Sequence, residues 1–185
     1  MVKASHLIVA FFAHISVVFA NHADTEHTWV NVGPGLPYPR NVVEGGFWTN
    51  GTHGYSVFVA RLNFFEEGFC PAYVRLDLLH IFFNTPSNSY TGVNLNHDLL
   101  VSTDEFEYKW VNSHSALHDM GVVAAGTSAT YDLKFICRAF TPKGLIPGNL
   151  DMFRNGCAVN GEGLVFSVYD KYQVLVGVRK SGSGA

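Results

Sequence analysis

His114-Ser-Ala-Leu-His118-Asp119 is the segment whose residue types come nearest to metal chemistry. Two histidines four apart share one face of a helix and can ligate zinc. The glutamate that would act as general base is missing, however, and the stretch reads as a loop between strands, so a solvated loop is expected. Glu66-Glu67 and Asp104-Glu105 bring carboxylates together, as acid–base chemistry requires, but both fall in turns and read as solvated faces. His22 and His27 read as solvated too. The chain has no Gly-x-Ser-x-Gly elbow, phosphate loop or dinucleotide fingerprint. Lys143 and Arg179-Lys180 are too sparse for nucleic acid. The expectation is no enzyme, no metal and no cofactor; a hydrolase would need Glu162 and a histidine to meet in one cleft.

Composition sets the frame for these residues. The 185 residues include 12 Lys+Arg and 15 Asp+Glu, a formal charge of −3, and charged residues make up 15%, where about 25% is usual. Such a chain is not disordered, and it does not present a general phosphate-binding surface. Residues 1–20 join one lysine to an apolar stretch that ends at Val18 and Ala20. That is the pattern of a secretory signal peptide cut after Ala20. A membrane anchor is the weaker reading, because His14 interrupts a run shorter than the ~20 residues a span needs. The mature protein is therefore expected to be soluble, secreted and extracellular, occupying residues 21–185 as a single unit. Asn50-Gly-Thr52 is a glycosylation sequon in a Gly-rich turn, with use and non-use equally open. Cys70, Cys137 and Cys157 allow at most one intrachain bridge. Cys137–Cys157 is the first pair to test, and three buried thiols are the alternative.

The elements that must position these residues are strands. Tyr55–Arg61, Tyr73–Phe83, Leu133–Arg138, Leu164–Tyr169 and Tyr172–Val178 mix β-branched and aromatic residues in near-alternation. Turn clusters separate them at Gly33–Pro39, Asn50–Gly54, Asn84–Asn88, Pro147–Asn149 and Asn160–Gly163, and Ser181–Ala185 reads as a frayed tail. The class is all-β, built from antiparallel pairs.

An internal repeat organises the strands. Trp29-Val-Asn31 recurs 81 residues on as Trp110-Val-Asn112, Gly46 recurs 80 on as Gly126, Arg61 77 on as Arg138, and Pro71 76 on as Pro147. The drift of five residues is small enough for turns to absorb. Repeat one spans about 29–109 and repeat two about 110–178, forming one antiparallel β unit with pseudo-twofold symmetry. Each copy, roughly 75 residues, is small enough to need its sister to complete a core. The paired glycines are expected in positive-φ turns, and the tryptophans anchor each opening strand. Arg61 and Arg138, lying inside apolar strands, read as structural cations paired with carboxylates or capping carbonyls.

This order of landmarks resembles the DM-nine (DM9) repeat family. The second repeat carries it best: Trp110-Val, Ala125-Gly126, Phe135-Ile-Cys-Arg138-Ala139, Gly144-Leu-Ile-Pro147-Gly148, Gly156-Cys-Ala-Val159, Asn160-Gly-Glu162 and Tyr172-Gln-Val-Leu175. The first repeat is looser, its closing element blurring into Phe106-Glu-Tyr-Lys-Trp110. The resemblance implies an all-β fold of paired repeats with exchanged strands. It also implies non-catalytic recognition of the kind shown by mannose-binding lectins of invertebrate immunity. In those lectins an Asp after the turn Gly and the Lys of Pro-Gly-Lys hold sugar hydroxyls, supplying a strong acceptor and a strong donor. Here the Asp position is Trp48 in the first repeat and Ser128 in the second, and the Lys position is Tyr73 and then Asn149; Glu162 keeps a family glutamate in the second repeat alone. Trp48 and Tyr73 are either a platform for a sugar face, with Ser128 and Asn149 as neutral partners, or space-filling residues of a lost site. The latter is the default.

The sequence therefore points to a secreted, lectin-like, non-catalytic recognition protein that binds a glycan at turn sites, with innate immunity as its setting. The alternative is a protein-interaction or structural component of a secreted fluid or extracellular layer. Expected partners are a glycan or a secreted protein, without nucleic acid or a membrane span, and self-association is left open.

Overall fold

The structure, a computed structural model, describes residues 23–85, 88–113 and 121–181. Its strands fall into two sets of seven. The first repeat contributes β1 (Trp29–Val32), β2 (Glu44–Thr49), β3 (Gly54–Phe64), β4 (Gly68–Arg75), β5 (His80–Asn84), β6 (Ser89–Val93) and β7 (His97–Leu100). The second contributes β8 (Phe106–Ser113), β9 (Ala124–Thr127), β10 (Leu133–Thr141), β11 (Gly144–Asp151), β12 (Gly156–Asn160), β13 (Val165–Val168) and β14 (Tyr172–Arg179). Among the described residues the only helical element is a single 3-10 turn, Phe65–Glu67, and no helix is long and apolar enough to cross a membrane.

Every pairing in one set recurs in the other, all antiparallel. The first strand pairs with the seventh and the seventh with the third; the third also pairs with the second and fourth, the fourth with the fifth and the fifth with the sixth. The repeats then exchange strands. β2 adds to β11 with Trp48 opposite Gly144, and Ser128, just after β9, bridges to Gly68 of β4. The Thr49 N–H donates to the Lys143 carbonyl at 2.8 Å, and the Ala129 N–H to that of Glu67 at 3.2 Å. Gly68 and Gly144 (φ 77° and 115°) make these crossings possible. A Cβ at Gly68 would lie 2.6 Å from the Thr127 carbonyl oxygen, and one at Gly144 2.2 Å from that of Phe47, closer than any side chain tolerates.

The arginines lock the exchange. Arg61 donates from Nε to Asp98 (3.0 Å) and from Nη1 to the Ala125 carbonyl of the second repeat (2.7 Å), with Trp29 stacked 4.3 Å from its guanidinium. Arg138 donates to Gln173 (2.6 Å) and to the Gly45 carbonyl of the first repeat (3.1 Å), with Trp110 at 4.4 Å. Burial pulls Arg138 down to about 10, so it stays a cation at neutral pH and needs those acceptors. Val43, Val59 and Leu100 of one repeat close against Val123, Ala125, Ile136 and Leu175 of the other, giving the shared core between the arginines. Each repeat also has an apolar cluster of its own.

Several expectations change. Tyr73–Phe83 is not one strand: a turn at residues 76–79 divides it into β4 and β5, with Leu79 at φ 54°. Pro147–Asn149 is not a turn but the middle of β11, where Gly148 serves close approach, a Cβ there falling 2.1 Å from the Ala158 carbonyl. The first repeat closes with β7, whereas Phe106-Glu-Tyr-Lys opens the second. Gly46 and Gly126 lie in strands, beside register shifts, rather than in turns. His27 is buried, its Nδ1 2.9 Å from Asp24 and its ring 4.8 Å from that of Phe106, because the segment around Ala23 bridges to Gly126 and packs inward. His22, His114, His118, Asp119, residues 1–20 and the end of the tail lie outside the described residues. Cys137 and Cys157 are joined, with Cα atoms 5.9 Å apart, and Cys70 is free and buried. Their strands β10 and β12 flank β11. Two strand spacings span about 9.5 Å in a flat sheet, so this part of the sheet is folded over on itself.

Replacing the buried, ion-paired Arg61 by Ala lowers the unfolding free energy by about 3 kcal/mol, and replacing the half-buried Arg138, which bonds neutral acceptors, lowers it by about 2 kcal/mol; denaturant titration measures both, and a loss below about 1 kcal/mol contradicts the locking role. Burial pushes the Cys70 thiol up to about 12. Alkylation therefore finds no reactive thiol in the native chain, a single one in denaturant, and all three cysteines only after reduction.

Candidate functional site

The twofold equivalence lets the two repeats be compared position by position. Tyr73 faces Phe82 across β4–β5, and Asn149 faces Ala158 across β11–β12. Phe82 in turn faces Thr91, and Ala158 faces Ser167. Trp48 pairs with Tyr55, and the Ser128 N–H bonds the Asp132 carbonyl. Arg75 ends β4 as Asp151 ends β11. Thus Trp48, Tyr55, Tyr73 and Phe82 in the first repeat correspond to Ser128, Asp132, Asn149 and Ala158 in the second.

These substitutions decide which repeat has an opening. In the first repeat the rings fill the space. Tyr73 is fully buried and stacks on Phe82 at 4.8 Å, and its hydroxyl donates to the Asn160 carbonyl at 2.7 Å. Burial pushes that phenol's pKa upward. Trp48, 6% exposed, packs with Val57, Tyr73, Phe82 and Ile146. Neither ring offers a face to a sugar, because the Arg75 guanidinium lies 3.8 Å from the centre of the Trp48 ring and Phe82 covers Tyr73. Glu162, with a positive φ of 58°, accepts from Arg75 Nη1 at 2.9 Å and lies 3.9 Å from Lys143 Nζ. Three sequence candidates, Trp48, Tyr73 and Glu162, therefore meet around Arg75 in a closed cluster.

In the second repeat the smaller residues leave a cleft of about 920 Å³. Asp132, Lys134, Asn149, Asp151, Ala158 and Ser167 line it, together with Asn84, Thr85 and Asn88 of the first repeat. Asn149 lines the cleft, but its side-chain oxygen is turned into the protein, buried with no hydrogen-bond partner, at a cost of about 1–3 kcal/mol. Ser128 does not line the cleft but builds its edge. Its Oγ accepts from the Thr130 and Asp132 N–H groups at 3.2 and 3.1 Å. Thr130 donates its hydroxyl hydrogen to Asp132 at 2.7 Å, so in the 2.9 Å contact between the two hydroxyls Ser128 is the donor. The chain of hydroxyls ends on the Asp132 carboxylate and fixes it. Asp151 is held by the Arg154 N–H at 3.0 Å and the Arg154 guanidinium at 3.6 Å. Phe153 stands on the intervening turn, 99% exposed, and Leu133 and Val165 join it along the mouth. Asn50 is exposed in the turn between β2 and β3, its Oδ1 accepting from the Thr52 and His53 N–H groups. Among the described residues no group of three His, Cys, Asp or Glu side chains is placed to hold a metal ion.

Asp132, Lys134, Asp151 and Phe153 were not singled out from sequence. Carrying the 76- and 77-residue intervals through every position would have set Asp151 against Arg75 and Asp132 against Tyr55. Replacing Tyr73 by Phe leaves the Asn160 carbonyl without its donor and lowers stability by about 1 kcal/mol; a neutral result in denaturant titration would contradict the closed packing of this cluster.

The family model described as DM9 repeat matches residues 50–168. A solved structure, the nematode sperm cell motility protein MFP2B, is similar in fold, with a TM-score of 0.67 and 16% identity over 84% of this chain. The chain spans 47% of that protein's length. A comparison with curated proteins returned no match.

Proposed function

Because the chain belongs to the DM9 repeat family, we propose that it is a secreted, non-catalytic recognition protein that takes a glycan in the open cleft of its second repeat. The observation that carries this reading is the contrast between equivalent positions: four rings close the first repeat, and Ser128, Asp132, Asn149 and Ala158 open the second. The carboxylate and ammonium that the family places at the Ser128 and Asn149 positions are absent there, but Asp132 and Lys134 bring the same two groups to this cleft from β10 and the turn before it. Vicinal hydroxyls need a strong acceptor and a strong donor, and the Asn149 side chain lines the same cleft. Phe153 at the mouth offers an apolar face for the C–H side of a pyranose ring. The signal-like residues 1–20 and the Cys137–Cys157 disulfide both support an oxidising, extracytoplasmic destination, with defence as the setting the resemblance suggests.

A protein partner is the second reading. It is favoured by the exposed apolar rim of Leu133, Phe153, Leu164 and Val165.

A glycan array followed by calorimetry separates the two. Asp132→Ala and Asp151→Ala each weaken glycan binding about 10- to 100-fold, the worth of a charge-assisted hydrogen bond. Grafting the first repeat's residues into the second (Asn149→Tyr with Ala158→Phe) abolishes binding while the chain still unfolds cooperatively. Glycan binding that survives the graft unchanged would sink the assignment to this cleft; no glycan binding, with a secreted protein captured through Phe153, would favour the second reading.

A further inference from the structure

The cluster that closes the first repeat has a chemistry of its own. The Arg75 guanidinium, its side chain 4% exposed, is held on three sides. Asp77 takes Nε at 3.3 Å and Nη2 at 2.8 Å, a two-point grip on the fork. Glu162, arriving from the other repeat, takes Nη1 at 2.9 Å. The Trp48 ring lies 3.8 Å from the guanidinium carbon and Tyr55 4.9 Å. Two carboxylates that accept from three nitrogens of the fork, with an indole ring over its carbon, form a receptor for a planar cation.

The fold does not require this receptor. In the second repeat the same backbone is built with Asp151 at the position of Arg75, Ser128 at that of Trp48 and Asp132 at that of Tyr55. The receptor and its occupant are additions to one copy only.

We propose that the first repeat carries a guanidinium-binding cage, formed by Trp48, Tyr55, Asp77 and Glu162 and loaded in cis by Arg75. The cage takes alkylguanidinium groups in preference to ammonium: the Arg75 fork reaches both carboxylates and lies 3.8 Å from the Trp48 ring centre, whereas the Lys143 ammonium at the same cluster is 3.9 Å from Glu162 alone and 5.7 Å from that ring. Where the second repeat is read as the glycan cleft, the consequence is a chain with one site open to outside ligands instead of two, since the equivalent space in the first repeat is occupied by its own side chain.

The test is chemical rescue of Arg75→Ala, followed by thermal unfolding with millimolar methylguanidinium, methylammonium or potassium chloride at equal ionic strength. Removing the side chain lowers the unfolding midpoint. Methylguanidinium then raises it by several degrees, saturably, as binding to the folded state alone requires, and the wild-type chain shows no such rise. Equal effects of methylammonium or potassium chloride, an equal effect on the wild type, or no saturable rise would overturn the proposal. If Arg75→Ala does not fold, the wild-type chain and Glu162→Gln provide the readout by NMR. The Arg75 guanidinium protons are expected as separate, slowly exchanging resonances displaced by the Trp48 ring current, with the Nη1 protons that Glu162 accepts exchanging faster in Glu162→Gln. A freely exchanging Arg75 signal in the wild type would overturn the cage. None of these measurements involves a glycan, so failure of the cage leaves the cleft assignment standing, and the reverse also holds.

Discussion

Arg61 and Arg138 each reach out of their own repeat to a backbone carbonyl of the other. A cation inside an apolar strand has to find oxygen acceptors or it unfolds the region around it. Arg61 takes Asp98 and the Asp24 carbonyl on its own side and the Ala125 carbonyl across the boundary, and Arg138 takes Gln173 on its own side and the Gly45 carbonyl across it. Each arginine thus ties its own repeat to the other through a backbone carbonyl. The rest of the fold follows from this: β2 and β9 must cross over to deliver those carbonyls, glycines must stand where the backbones touch, and the apolar residues left between the arginines become the shared core. The cross-boundary bond from the Trp110 indole to the Glu44 carbonyl, at 3.1 Å, belongs to the same arrangement.

Once the backbone is fixed by this exchange, the side chains at equivalent positions are free to diverge. In the first repeat they have become large and ring-bearing and have closed on a guanidinium; in the second they are short and polar around a cleft. Function on such a scaffold is a matter of what each copy leaves out. The loss of rings from β10–β12 creates the opening, and the hydroxyl chain from Ser128 through Thr130 holds Asp132 at its edge. The disulfide falls on the open side, tying β10 to β12, where Ala60 and Ile81 fill the matching places in the first repeat. The cross-link thus joins two of the strands whose residues line the cleft.

Much of the architecture was legible in the residues. The 80-residue interval between Gly46 and Gly126 and the 76-residue interval between Pro71 and Pro147 are the intervals that relate the two strand crossings. The arginines could be read as structural because strands do not carry lone charges. The turn at residues 76–79 was hidden because it contains no Gly, Pro or Asn; Leu79 adopts its left-handed backbone and Asp77 is held by Arg75. Pro147-Gly148 misled in the opposite sense, its residues serving close approach inside a strand. The site was legible only in part. Asn149, which the resemblance pointed to, lines the cleft, whereas the burial of Trp48 and Tyr73 depends on contacts among residues far apart in sequence, such as Trp48 with Arg75 and Tyr73 with Asn160, which carry no local signal.

The two repeats complete each other, and separating them tests this most directly. Chains covering residues 23–105 and 106–181, made apart, are expected to show no cooperative unfolding transition by circular dichroism and to regain strand signal and a single transition when mixed. A cooperative transition in either piece alone would contradict the account, because that repeat would then satisfy its own arginine and core without its sister.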